Sequence, residues 1–271
     1  MLAIQAQWTS IDLTAARIGG GLFIALPWMV WHYARGGTIP WGKAMALSCF
    51  AGVLFSLVNI AGLQFAPVTH AGAISLGMTP VLVGLLSKPL LGTSISRDHW
   101  LALMLILIGI GTVWLGTSLT WRYALGDLCF LMGATLWALY AIFLKRWAIP
   151  ASDAAFYTSL GSAPFFVWYL LFWDLPETTL TLLGTQLLYQ GLIVGILAIY
   201  CYGKTVSILG PQLGSLFSAL PPVIVPVAAA FLIDYHPHFY EYIGVFLVVT
   251  GMLLAFFKPL ERMCVKPPRT N

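Results

Sequence analysis

The sequence predicts an all-α polytopic membrane protein, and three observations carry that reading. Of 271 residues, 60% are hydrophobic and 8% charged, with a mean hydropathy of +0.90, whereas soluble domains carry about 25% charged residues. The apolar residues fall into nine runs of about 20, the length at which a helix crosses a bilayer core. The period-2 alternation of a membrane barrel is absent. Third, features recur at a nearly constant spacing. At an offset of 142, Gly72 pairs with Gly214, Pro80 with Pro222, Val81 with Val223, Val83 with Val225, Leu105 with Leu247 and Gly109 with Gly251. At an offset of 141, Asp12 pairs with Asp153 and Gly20 with Gly161. Weak internal symmetry of this kind marks transporters built from duplicated bundles.

The nine expected helices are Ile11 to Trp31, Ala44 to Leu63, His70 to Leu86, His99 to Leu119, Leu125 to Leu144, Ala154 to Trp173, Leu187 to Ile208, Leu213 to Ile233 and Phe239 to Phe257. The eighth is the most irregular. Gly210 to Ile233 has no charge, small residues in its first half and prolines at 221, 222 and 226. Proline inside a helix removes a hydrogen bond and kinks the chain, which lipid-embedded bundles tolerate because neighbouring helices and hydroxyls satisfy the freed groups. The third run repeats the pattern around Pro80.

Orientation follows from the basic residues. Alternate loops and the tail hold all of the 13 lysines and arginines except Arg17 and Arg122, so that side is expected to be cytoplasmic. The N-terminus is then outside and the C-terminus inside. Residues 1–119 form a first repeat of four spans, 125–257 a second repeat of five, and 258–271 a basic cytoplasmic tail. Leu125 to Leu144 has no partner in the first half, so one more helix at the front would complete two five-span bundles. An odd number of spans per half inverts the second bundle relative to the first. The charges agree, since Leu144 to Asp153 is basic and its counterpart Ala3 to Asp12 has no basic residue.

The opening WTSIDLTAARIG, the segment GDLCFLMGATLWALYAIFLKR, and LGPQLGSLFSALPPVIVPVAAAFL followed by IGVFLVVTGMLLAF resemble the second, sixth, ninth and tenth helix patterns of the EamA family of the drug/metabolite transporter superfamily. The resemblance covers nearly the whole chain. It implies ten helices in two inverted repeats around a central cavity. It also implies export or exchange of small metabolites, such as amino acids or amines, by alternating access. Two departures stand out. The family's first helix has no counterpart, and the acidic residue after its fourth and ninth helices is replaced by Thr93 and Tyr235, with Asp234 adjacent to the latter.

Catalytic motifs are missing: no HExxH, GxSxG, P-loop or Rossmann glycine pattern occurs, so an enzyme is not expected. No cofactor or metal is expected either, because Cys49, Cys129, Cys201 and Cys264 lack CxxC spacing. Nucleic acid is excluded by the absence of a basic stripe. The expected partners are a small-molecule substrate and membrane lipid, with the oligomeric state open. Asp12, Asp127, His99 and Glu241 fall in the first few residues of their runs and are read as edge residues.

A charge inside a span costs about 2.5–3.5 kcal/mol on insertion scales, which makes it a functional candidate. Arg17 either snorkels to the surface or serves a cavity, and His70 either sits at the interface or carries a proton. Lys204 and Tyr202 close the seventh run at its cytoplasmic edge. The expected cavity lining is Asn59, Ser75, Thr79, Trp137, Tyr140, Ser215 and Ser218, with Arg17 and His70 toward the outer mouth. Gly191 and Gly195 form a GxxxG, expected to allow close helix packing. The alternative to a transporter is an N-terminally shortened, non-transporting membrane scaffold or inactive relative.

Overall fold

The structure, a computed structural model, describes residues 8–67, 70–93, 97–115, 121–174, 176, 178–220 and 239–265. All regular structure among the described residues is helical. Among the described residues there are eight rods: α1 Ser10–Ala34, α2 Trp41–Gly62, α3 Thr79–Leu91, α4 Arg97–Leu115, α5 Trp121–Arg146, α6 Ala151–Phe172, α7 Leu180–Leu216 and α8 Phe239–Val265. Among the same residues six segments are long and apolar enough to cross a membrane: α1, α2, Ile74–Leu91, α5, α6 and α7. The second half of the expected eighth span, with Pro221, Pro222 and Pro226, lies outside the described residues, as do Glu177, Asp234, Tyr235 and the tail beyond Val265.

Several helices are broken where the sequence breaks them. The third expected span opens as a π-helix over Ala71–Leu76, and Pro80 then sits in the first turn of α3, where its missing N–H has no intrahelical partner to lose. Gly52 divides α2 into Trp41–Ala51 and Val53–Gly62. The rod α7 is π-helical over Leu187–Leu197 and breaks at Gly210, whose φ of 81° and ψ of 165° are not helical. A side chain is strained at that φ, so glycine holds the joint and Pro211 starts the next helical stretch.

The chain divides into two compact units, Met1–Ala61 with Leu139–Gly210, and Gly62–Ala138 with Pro211–Asn271. The first unit is assembled by direct backbone approach. A Cβ on Gly20 of α1 would lie 2.2 Å from the carbonyl oxygen of Leu187 and 2.8 Å from Cα of Gly191. On α6, a Cβ at Gly161 would lie 2.3 Å from the carbonyl oxygen of Ala44 in α2. Small residues permit this, and close packing together with interhelical hydrogen bonds holds helices together where lipid removes the hydrophobic drive.

Asp12 supplies one of those bonds twice over. Its carboxylate closes a capping box with Thr9 at the start of α1, accepting from the Thr9 N–H at 2.7 Å and the Thr9 hydroxyl at 2.6 Å. Its other oxygen accepts from the Tyr169 hydroxyl at 2.9 Å and Trp173 Nε1 at 3.2 Å. The residue lies in the first turn of α1, at the expected edge of the run, and is buried there by these partners. Asp12→Asn keeps an acceptor and loses the charge that strengthens these bonds. It is expected to lower unfolding stability by about 1 kcal/mol, read as a reduced Tm in detergent.

The second unit packs α4 against α8 through Ala102, Leu103, Ile106, Val248 and Ala255. A Cβ on Gly109 would meet the Gly244 carbonyl oxygen at 2.8 Å and Val248, and one on Gly251 would meet the Ala102 carbonyl oxygen at 2.7 Å and Ile106. The register descends along α8 as it ascends along α4, so the two helices are antiparallel. Each contact is also the other's exchange partner at the 142-residue offset: Ala102 corresponds to Gly244, Ile106 to Val248 and Gly109 to Gly251.

Candidate functional site

Polar groups at membrane depth gather in both units. In the first, Arg17 lies two turns into α1, where Gly195 of α7 comes close enough to touch its backbone. The guanidinium donates from Nη1 to the Ser56 hydroxyl at 3.2 Å and stands 5.8 Å from the centroid of the Phe55 ring. Among the described residues it makes no ion pair. Around it lie Gly52, Thr158, Ser159, Ser162, Gly195 and Ile199, enclosing a cavity of about 10 Å³. That volume admits roughly one water molecule.

The hydroxyls beside the cavity are already engaged. Thr158 donates to the Ala154 carbonyl at 2.8 Å and Ser162 to that of Thr158 at 2.7 Å, while the Ser162 and Ser48 oxygens meet at 2.8 Å. Thr158 is also the position corresponding to Arg17 at the 141-residue offset.

Tyr140, buried in α5, stacks on Tyr202 of α7, ring centroids 6.3 Å apart and planes 25° from parallel. Tyr202 is therefore a buried partner although it lies near the expected end of the seventh run, because α7 continues as helix to Leu209; Lys204 stays exposed. Asn59 is half-buried and donates to the Phe55 carbonyl of its own helix at 2.8 Å.

In the second unit Ser75, Thr79, Ser215 and Ser218 are all buried. Thr79 donates to the Ser75 carbonyl at 2.9 Å and Ser215 to the Gln212 carbonyl at 2.9 Å. Ser218 reaches the Leu76 carbonyl at 3.4 Å, across a separation of 142 residues. These four expected lining residues are brought together, and Trp137 is buried in the same unit.

His70 is buried as well, 1% exposed, and its Nδ1 lies 2.8 Å from Oδ1 of Asp127. Tyr123 packs edge-on against the imidazole, centroids 5.6 Å apart. Asp127 was missed by the sequence reading, which started its span at Leu125; α5 begins at Trp121, and the carboxylate sits in the second turn of the helix, 8% exposed. Hydropathy alone gives no signal for this, because the polar ends of WRYALGD blur the helix start. Gly126 does carry one: a Cβ there would meet Ala66 at 2.5 Å, so this end of α5 is packed against the chain at 62–66 and is not at a free surface. Among the described residues no group of three or more His, Cys, Asp or Glu could hold a metal.

A family model described as the EamA-like transporter family matches residues 1–115 and 124–257. The uncharacterized transporter YetK of Bacillus subtilis (strain 168) is 25% identical over 225 residues, covering 79% of this chain and 68% of that protein. The uncharacterized transporter YyaM of the same organism is 24% identical over 211 residues, 74% of this chain and 68% of its own. A crystal structure superposes with a TM-score of 0.67 at 21% identity, over 96% of this chain and 92% of the other, which shows a shared fold.

Proposed function

Because the chain belongs to the EamA-like transporter family, and so is a multi-pass membrane transporter, we propose that it is a secondary transporter that exports or exchanges small metabolites by alternating access. We take its substrates to be amino acids or close relatives that carry a carboxylate. The observation that carries this substrate class is Arg17. A guanidinium at membrane depth that, among the described residues, meets a hydroxyl and an aromatic face and no carboxylate keeps hydrogen-bonding capacity for a planar anion. A carboxylate matches its planar fork better than any other small group. With room for roughly one water molecule beside it, the site as it stands has no space for a substrate. Alternating access would open it by moving the helices that meet at Gly52 and Gly195.

We further read the chain as nine spans in two inverted repeats, N-terminus outside and C-terminus in the cytoplasm. The exchange-related antiparallel contacts of α4 and α8 support the repeat, since a twofold axis that swaps two antiparallel helices lies across them, in the plane of a membrane they span. The one-sided distribution of basic residues supports the orientation. The expected lining through Asn59, Ser75, Thr79, Trp137, Tyr140, Ser215 and Ser218 belongs to the same proposal.

The test is exchange in proteoliposomes of the purified chain, preloaded with unlabelled amino acids and offered each labelled amino acid beside its decarboxylated amine. Amino acids are expected to exchange and the matching amines to fail. Equal exchange of both classes would remove the carboxylate from recognition. No exchange of any would favour a non-transporting scaffold.

A further inference from the structure

We propose that His70 and Asp127 form a proton-binding site that couples transport to the proton gradient, loaded through a recess at the start of α5. The pair joins two parts of one unit, the turn before the π-helix Ala71–Leu76 and the second turn of α5, at 2.8 Å and nearly without exposure. Two ionisable groups withdrawn from water are costly to keep, and in membrane proteins such pairs mark ion and proton pathways. Histidine is the side chain whose ordinary titration falls between about pH 5 and 8.

The chemistry balances within the pair. With one proton shared, imidazolium against carboxylate, the site is neutral. Release of that proton to water leaves neutral imidazole beside carboxylate, one net negative charge. A buried site that alternates between zero and one charge changes the cost of the conformations that expose it, which is what coupling requires.

Access is provided on the same unit. Gln64, Phe65, Ala66, Pro67, Arg122 and Tyr123 line an open recess of about 570 Å³, large enough for many waters. Tyr123 is both part of its wall and the ring against His70, so the recess and the pair share a side chain. Among the described residues, Tyr123 packs on the His70 ring and Arg122 precedes it in α5. The guanidinium of Arg122 is turned to the Gln64 carbonyl at 3.1 Å, in the recess and on the solvent side of Tyr123.

Coupling rests on the transport proposed above, whereas proton binding at the pair does not, so two measurements separate them. The first uses the full chain labelled with ¹⁵N-histidine in lipid nanodiscs, with no solute added, and follows the imidazole resonances between about pH 5 and 8. One resonance, assigned by its loss in His70→Gln, is expected to titrate and to be displaced in Asp127→Asn. A His70 resonance that is constant over this range overturns the site. The second measures the signal of an internal pH dye in proteoliposomes during efflux of a labelled amino-acid mixture. Wild type is expected to move protons with solute, and Asp127→Asn to lose that proton signal. Solute efflux without proton movement in wild type overturns coupling. Absence of any efflux by wild type counts against the transport reading instead, and the titration then still decides the proton site.

Discussion

Gly20→Leu yields no monodisperse protein from membranes, while Gly184→Leu, on an open face of α7, purifies like wild type. The contrast isolates one contact. A Cβ at position 20 would stand 2.2 Å from the Leu187 carbonyl oxygen, and one at Gly191 would stand 2.3 Å from Gly20 Cα, whereas nothing lies within 4 Å of a Cβ at Gly184. Overpacking a core costs about 1–3 kcal/mol when side chains can give way. Here the obstacle is backbone on both sides, so α1 and α7 must separate along their length. Gly19 and Gly21 meet Phe166 and Ser159 of α6 on the flanks, so a shift of α1 is transmitted to α6. The loss is expected to exceed about 3 kcal/mol, the upper end of the overpacking range. Size-exclusion of the fluorescently tagged variants, followed by thermal melts of whatever is recovered, measures it. A Gly20→Leu protein with wild-type elution and Tm would show that the helices pack less closely than described.

That contact illustrates what the sequence made legible. Gly191 and Gly195 announce close packing by their spacing, and Gly20, Gly161, Gly109 and Gly251 announce themselves as pairs at a fixed offset; all six lie where another helix comes within contact distance of the missing Cβ. Apolar run length located the helices because only helices satisfy their backbone inside lipid. The charged sites were less legible, for a physical reason. Asp12 and Asp127 lie near helix starts, where a hydropathy window cannot tell a carboxylate facing water from one facing protein. Their partners are remote in sequence: Tyr169 and Trp173 for Asp12, His70 for Asp127. Spacing along one helix carries no trace of such pairs. Tyr202 and His70 show the same limit, since position in a run suggests an edge for each and each is buried against a neighbour from another helix.

If the proposed amino-acid exchange occurs, Arg17→Gln is expected to reduce it by roughly 100-fold, the loss that follows when one partner of a desolvated charge pair is removed at a cost of about 2–5 kcal/mol, and to leave the fold at least as stable. The two halves of that expectation come from the same fact. Arg17 has no carboxylate partner among the described residues and is held by the Ser56 hydroxyl and the face of Phe55. A cation kept there without a partner is a cost of about 2.5–3.5 kcal/mol on insertion scales, and a structural role would not explain its retention. Thr158, at the 141-residue offset from Arg17, satisfies its hydroxyl on the Ala154 carbonyl of its own helix. Arg17→Lys keeps the charge but loses the planar two-pronged donor, and is expected to fall between wild type and Arg17→Gln, with weaker apparent affinity and a similar maximal rate. Exchange rates at a series of substrate concentrations, read beside Tm for each variant, separate binding from folding. Wild-type exchange in Arg17→Gln would show that the carboxylate is recognised elsewhere, and a lowered Tm in both variants would make Arg17 a structural residue.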